Sequence, residues 1–277
     1  MKVKLREIFI YFKNEFTEND ITALGSQVAY SLIFSIFPFL IFLVTLLAFI
    51  HVDVNLLLGR LDEILPTQAY NIVSKTLTEV FTDRNTGLLS ISIVGSIWSA
   101  SGGVKAIMKS INNAYEVKET RNFLKLALES IIGVFILAVT ILVLLGMIVF
   151  GDVIVNFLYN TFHIPHILLN VIIILKPVIT LCVVILGFSV IYTYFPNKKV
   201  KWKETFIGSV VTTILLLIIS IGFSFYVNNF SNYSNVYGSI GGVVVLLTWL
   251  FLTSISIIVG GEVNAYVMKL NEKEVVH

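Results

Sequence analysis

The sequence predicts an all-α, polytopic membrane protein: a six-helix transmembrane bundle with an N-terminal interfacial amphipathic helix, all in one membrane domain over 1–277. Three observations predict it. Of the residues 57% are hydrophobic and only 13% charged, where soluble domains run at roughly 45–50% and about 25%, and the mean hydropathy is +0.92. Apolar stretches long enough to cross a bilayer, which takes about 20 helical residues, alternate with polar connections. The 19 Lys and Arg residues crowd into every second connection.

The amino-terminal segment comes first. Leu5, Ile8, Phe9, Phe12 and Phe16 recur at helical spacing while Lys2, Lys4, Arg6 and Lys13 take other positions, the pattern of a helix lying on a membrane surface. Residues 1–20 are therefore read as an interfacial helix on the cytoplasmic leaflet. They hold no apolar core and small-residue cleavage site, so no signal peptide is expected to be removed and the first span does the targeting. That span, 21–50, exceeds what a straight crossing needs and should tilt or kink. Pro38 is the expected kink, since its missing N–H frees the carbonyl of Phe34, and Gln27, Ser31 and Ser35 run up one face toward it.

Residues 51–86 carry Asp53, Asp62, Glu63, Glu79 and Asp83 against Arg60, Lys75 and Arg84, the one sizeable acidic segment. Tyr70, Val73, Leu77 and Val80 keep helical spacing after Pro66, so this reads as an extracytoplasmic surface helix region. Span two, 87–108, is apolar yet loaded with small polar residues. Ser92, Ser96, Ser99 and Gly103 fall at i, i+4, i+7 and i+11, a face unsuited to lipid. Gly95, Ser99 and Gly103 give two successive small-xxx-small spacings, which let a neighbouring helix approach closely.

A basic connection runs from Lys105 to Lys125, and span three covers 126–150 with Glu129 at its cytoplasmic end. The fourth span admits two starts. From Ile167, Lys176 would lie near mid-bilayer and be a functional candidate; from Pro177, the proline takes a first helical position and Lys176 snorkels to the outer interface. The second is preferred, giving 177–195, closed by Phe195-Pro196-Asn197. Lys198, Lys199, Lys201 and Lys203 then surround Trp202 as a surface anchor. Span five covers 205–227. Span six covers 240–262, and the distance from Gly242 to Glu262, about 30 Å of helix, places Glu262 at the inner interface.

Fifteen of the 19 basic residues lie at the two termini and in the connections near residues 115 and 200; Arg60, Lys75, Arg84 and Lys176 lie on the other side. The positive-inside rule then puts both termini in the cytoplasm of a multi-pass plasma-membrane protein. No enzyme is expected. His163 and His166 share an H-x-x-H spacing without the further ligands that zinc needs, no phosphate-cradling glycine loop occurs, and Cys182, the lone cysteine, can form no internal disulfide. Neither cofactor nor metal is called for. The expected partners are membrane lipids and not nucleic acid, since orientation and anionic headgroups account for the basic residues. The oligomeric state is not set by the sequence.

Three stretches resemble one family. Ala29-Tyr30-Ser31-Leu32 through Phe37-Pro38 is similar to its AYYxLxSLFP signature. Trp98-Ser99-Ala100-Ser101-Gly102-Gly103-Val104 followed by Ile111-Asn112-Asn113-Ala114-Tyr115 is similar to its second motif. Tyr237-Gly238-Ser239-Ile240-Gly241-Gly242, Trp249 and Gly260-Gly261-Glu262-Val263-Asn264-Ala265 resemble its carboxy-terminal end, with Gly261 in place of the usual alanine. The chain resembles the YihY/BrkB membrane proteins over nearly its full length. The resemblance implies a six-span bacterial inner-membrane protein of a family once labelled ribonuclease BN and discussed as transporters or lipid exporters.

Two functions follow as expectations: a transporter or exporter of a lipid-like or amphipathic, anionic solute, or a non-transporting scaffold that binds lipid or partner proteins. If a solute moves, its expected path is the face of Ser92, Ser96, Ser99 and Gly103 opposed to Gln27, Ser31, Ser35 and Pro38, with Glu262 and Asn264 at the cytoplasmic mouth. Polar groups in hydrocarbon cost free energy unless paired or wetted, and these are the longest polar stripes.

Overall fold

A computed structural model describes residues 20–49, 58–59, 74, 86–162, 166–230 and 241–275. Among them the architecture is all helical. Six long helices follow one another: α1 (Ile21–Phe49), α2 (Thr86–Ala114), α3 (Phe123–Phe162), α4 (His166–Tyr194), α5 (Trp202–Phe230) and α6 (Gly241–Val275). Four stretches among the described residues are long and apolar enough to cross a membrane: Phe123–Leu144, Leu175–Tyr194, Trp202–Tyr226 and Val243–Glu272. α1 adds a shorter apolar stretch, Ile21–Ile36. The interfacial helix expected over 1–20 lies outside the described residues apart from Asp20. So does the surface helix region expected over 51–86, apart from Leu58, Gly59 and Ser74, all helical, and Thr86, which opens α2.

α4 corrects one expectation. It begins at His166 and continues through Pro177, which is an interior residue and not the first of the helix. The run Ile167–Leu175 is apolar but for Asn170 and holds no Gly or Pro that would stop a helix, and the proline costs one ladder bond, to Ile173, which membrane helices tolerate. The side chain of Thr180 donates to the carbonyl of Lys176 at 2.9 Å within the same helix. α3 and α6 likewise outrun the expected ends at 150 and 262, reaching Phe162 and Val275. α4 stops where Pro196 follows, its last turn closed by the Phe195 N–H on the Ile191 carbonyl at 3.0 Å.

The chain forms two compact units. One consists of residues 1–35, 101–133 and 188–277, the other of 36–100 and 134–187. In the second unit Phe42 of α1 meets Phe135 of α3 edge to face, ring centroids 5.2 Å apart, the arrangement that aromatic quadrupoles favour. The first unit holds most of the described core, including Ile21, Val28, Val104, Ile111, Tyr192, Ile258 and Met268.

α5, wholly in the first unit, is turned inside out relative to a helix of a soluble protein. Ile207, Ile214, Ile218, Ile221 and Phe225 form an exposed stripe, with Ile221 70% exposed, whereas Thr205, Gly208, Ser209, Thr212 and Thr213 are buried. Such a pattern suits lipid outside and small polar contacts between helices inside. α5 packs on α6 at Gly208 and Gly260. A Cβ on Gly208 would fall onto the backbone carbonyl of Gly260, and one on Gly260 onto the hydroxyl of Thr212. Bare backbone at both positions lets the two helix axes approach this closely.

Candidate functional site

The buried polar groups of the first unit gather along α4, α5 and α6. Ser189 of α4 donates to the Ser209 hydroxyl of α5 at 2.9 Å, and the Thr193 and Thr205 hydroxyls pair at 3.1 Å. Tyr192, fully buried, donates its phenol to the Ile257 carbonyl of α6 at 2.6 Å. Its oxygen is also 2.7 Å from Thr212 Oγ1, whose hydroxyl lies within 2.9 Å of the Gly208 carbonyl as well. The Tyr115 phenol, just beyond α2, donates to the Tyr192 carbonyl at 3.3 Å. Every one of these residues can be satisfied by another helix or by its own backbone, which is how hydroxyls survive in an apolar interior.

Asn264 lies in this seam with no exposed surface. The Gly208 N–H of α5 donates to its Oδ1 at 2.7 Å, which fixes the amide orientation: the oxygen must face α5 and the NH2 must face away. Asn264 Nδ2 is buried, makes no close hydrogen bond among the described residues, and faces the Tyr115 phenol. Glu262, expected at the cytoplasmic mouth, is also enclosed, with 1% of its surface exposed. α6 continues three turns past it, and the neighbouring Gly261 packs on the end of α2, where a Cβ would stand 3.2 Å from the Ala114 side chain.

The residues singled out on α1 and α2 separate. Ser35 is buried and donates to the Ser31 carbonyl at 2.8 Å. Ser31 donates to the Gln27 carbonyl at 3.0 Å, and exposed Gln27 accepts from Lys109 of α2 at 3.3 Å. The two helices do meet at Gly103, where a Cβ would lie 3.1 Å from both Leu32 and Ser35. In the second unit Ser96 is buried, Gly95 and Ser99 are exposed, and Pro38 is half-buried. The side chain of Ser92 lies outside the described residues.

Beyond α2 the polar groups form a cap. α2 ends in a left-handed turn at Glu116, φ 54°, with the Val117 N–H on the Asn112 carbonyl at 2.8 Å and the Glu116 N–H on the Asn113 carbonyl at 2.9 Å. This is the paired bonding of a Schellman motif. Arg121, its side chain 4% exposed, holds Glu119 through two hydrogen bonds at 2.8 and 2.5 Å, bonds Glu129 of α3, and donates to the Phe195 carbonyl at 3.2 Å. Asn112 accepts from the Asn197 N–H at 2.7 Å and donates to Glu119 at 2.9 Å. The Arg121 hydrogen bonds hold the Glu119 carboxyl below its usual range, and the same contacts raise Arg121. Among the described residues no group of three His, Cys, Asp or Glu side chains is placed to hold a metal. His163 lies outside them, and His166 opens α4.

The family described as virulence factor BrkB matches residues 12–275. The chain belongs to the BrkB family. Within the reach of that family, a Bacillus subtilis (strain 168) protein named ribonuclease-like protein YfkH is 37% identical over 265 residues, covering 96% of this chain and 95% of the relative. A UPF0761 membrane protein of Alteromonas mediterranea is 24% identical over 94% of this chain and 87% of its own length. A UPF0761 membrane protein of Vibrio cholerae is 33% identical over a shorter stretch, 32% of this chain and 29% of the relative. No solved structure matches the chain. BrkB membership and the apolar helices make this a multi-pass transmembrane protein. The BrkB-like stretches of the sequence include Gly260-Gly261-Glu262-Val263-Asn264, the segment that supplies the backbone crossing to α5 and the buried amide.

The α4–α6 seam is the part that sequence reasoning passed over. Its signal was present: Thr205, Ser209 and Thr212 stand at i, i+4 and i+7, a stripe as regular as the one on α2. It sits in a highly apolar helix, where isolated hydroxyls look incidental.

Proposed function

We propose that this protein is a transporter or exporter of a lipid-like or amphipathic, anionic solute in the bacterial plasma membrane, with both termini cytoplasmic. One observation carries the reading: the Asn264 amide NH2 is fully buried, held in a fixed orientation, and among the described residues only weakly engaged, by the Tyr115 phenol. A bundle that only packs gains little from such a group, since a buried donor left wholly unpaired costs about 1–3 kcal/mol. A donor kept ready in a polar seam suits an acceptor that arrives with a solute. Gln27, Ser31, Ser35, Pro38, Ser92, Ser96, Ser99, Gly103, Glu262 and Asn264 remain the proposed path residues, and the hydroxyls of α4 and α5 extend it. The alternative, a scaffold that binds lipid or partner proteins, draws on the exposure of Gly95, Trp98 and Ser99 on α2.

The test is movement of fluorescent anionic phospholipids and of organic anions in vesicles holding purified protein. Ser31→Ala, Ser96→Ala and Glu262→Gln should each lower activity per folded molecule while yield and thermal midpoint hold. Unchanged activity in all three defeats the path, and no movement by well-folded protein across the whole panel favours the scaffold. Orientation is tested separately. In a Cys182→Ser background, Ser231→Cys should react with an impermeant maleimide in intact cells and Lys199→Cys only after lysis; the reverse pattern inverts the topology.

A further inference from the structure

An open cleft of about 640 Å³ lies where α2 ends and α3 begins. Lys105 and Lys109 line it from successive turns of α2, Asn113 follows one turn on, and Lys118 closes it from the connecting loop. Met108 and Leu126 give it apolar walls. Its two carboxylates are engaged by cations that are not part of the lining. Glu116 pairs with Lys269 at 2.8 Å and Glu119 with Arg121 at 2.5 Å. The cleft therefore brings together three ammonium groups, of which Lys109 also reaches the Gln27 amide at 3.3 Å, beside two carboxylates that pair with cations from outside the lining.

Beside it the surface changes character. Phe123, Leu124 and Leu128, on the first turns of α3, are 68%, 71% and 63% exposed, at the start of a stretch apolar enough to span a membrane. Lys105 Nζ stands 5.7 Å from the centre of the Phe123 ring, so cation and exposed apolar surface are contiguous. A free phosphate would use the lysines and leave that surface in water. A phosphodiester carrying acyl chains uses both, because the chains lie along α3 while the headgroup enters the cleft.

We propose that the cleft binds the headgroup of an anionic phospholipid, with Lys105, Lys109 and Lys118 on the phosphate and Asn113 donating its amide. The site rests on the lipid part of the function proposed above and not on movement, so binding without transport leaves it standing. The experiment titrates full-length protein in neutral detergent with dioleoyl phosphatidylglycerol or dioleoyl phosphatidylcholine and reads bound lipid by native mass spectrometry. Wild type should prefer phosphatidylglycerol. Removing each lysine should weaken binding about fivefold, the scale of one lysine at an anionic surface, so Lys105→Gln/Lys109→Gln/Lys118→Gln should lose roughly a hundredfold. Lys199→Gln/Lys201→Gln/Lys203→Gln, the same charge change elsewhere, should bind as wild type. Equal binding by wild type and the cleft variant, or equal loss in the two triple variants, overturns the proposal. Displacement of the lipid by millimolar inorganic phosphate would make this a soluble-anion site and overturns it too. If the triple variant fails to fold, exposed Lys118→Gln alone decides: no change in affinity overturns the site. Loss of binding with transport intact, or transport absent with binding intact, separates this site from the transport reading.

Discussion

Gly208→Ala should leave little folded protein. The added methyl falls on the Gly260 carbonyl and against the side chain of Asn264, and a main-chain carbonyl inside a helix has no rotamer by which to move aside. The two helices must then separate, which gives up the Gly208–Asn264 bond together with the contacts along the crossing. Overpacking costs typically 1–3 kcal/mol when side chains can adjust; with backbone as the obstacle, a loss of about 3 kcal/mol or more is expected, a large share of an ordinary stability of about 5–15 kcal/mol. Thermal unfolding and size-exclusion profiles in detergent read it. Gly222→Ala is the control on the same helix, because nothing lies within 4 Å of a Cβ there. Were Gly208→Ala to melt with Gly222→Ala and wild type, the close approach of α5 and α6 would be wrong.

Arg121→Ala should destabilise by about 2 kcal/mol. That is below the roughly 3–5 kcal/mol for stripping one partner from a fully buried pair, because the Glu119 and Glu129 side chains keep 32% and 31% of their surface exposed. Arg121→Lys should recover only part of it, since an ammonium cannot hold Glu119 with two parallel bonds while also reaching Phe195. The pH dependence has a definite sign. The Glu119 carboxyl is held below its usual value in the fold, chiefly by the Arg121 hydrogen bond. Its contribution is therefore complete above the ordinary glutamate value, about 4.3, and fades as pH falls through the lower folded value. The thermal midpoint of wild type should drop with acidification through this range more steeply than that of Arg121→Ala. Parallel curves would remove Glu119 from the account.

Helix positions were the most legible part of the sequence, because a membrane helix must satisfy its backbone internally and so writes itself as a long apolar run. α1 and α2 start within a residue of expectation for that reason. The start of α4 was misread because a proline was weighed as a helix beginning, although no residue before it stops the helix. The stripe on α2 was legible as a stripe, but its neighbours were not. Gly103 and Ser96 are buried while Ser99 is exposed, since a hydroxyl row can wrap past the edge of a contact. Gly208 and Gly260 show the limit most plainly. Each is one glycine in an apolar helix, and only the knowledge that α5 lies against α6 turns them into a pair. The same holds for Asn264, whose importance comes from the Gly208 N–H that its oxygen accepts across the crossing.

The hydroxyls on these helices have a common habit. Ser35, Thr140, Ser209, Thr213, Ser254 and Ser256 each donate to the carbonyl one turn back in their own helix, at 2.7 to 3.0 Å. Carbonyl oxygens in a helix carry a spare lone pair, so the hydroxyl is parked on an acceptor that does not depend on it. Turning about one side-chain bond takes the proton from that carbonyl to a neighbour or a passing polar group, and the backbone ladder survives the exchange. Ser209 already stands at such a junction, bonded to Thr205 behind it while accepting from Ser189 across the helix boundary. The interior thus keeps a store of donors that change partner by torsion alone, a low-barrier wetting that needs no water.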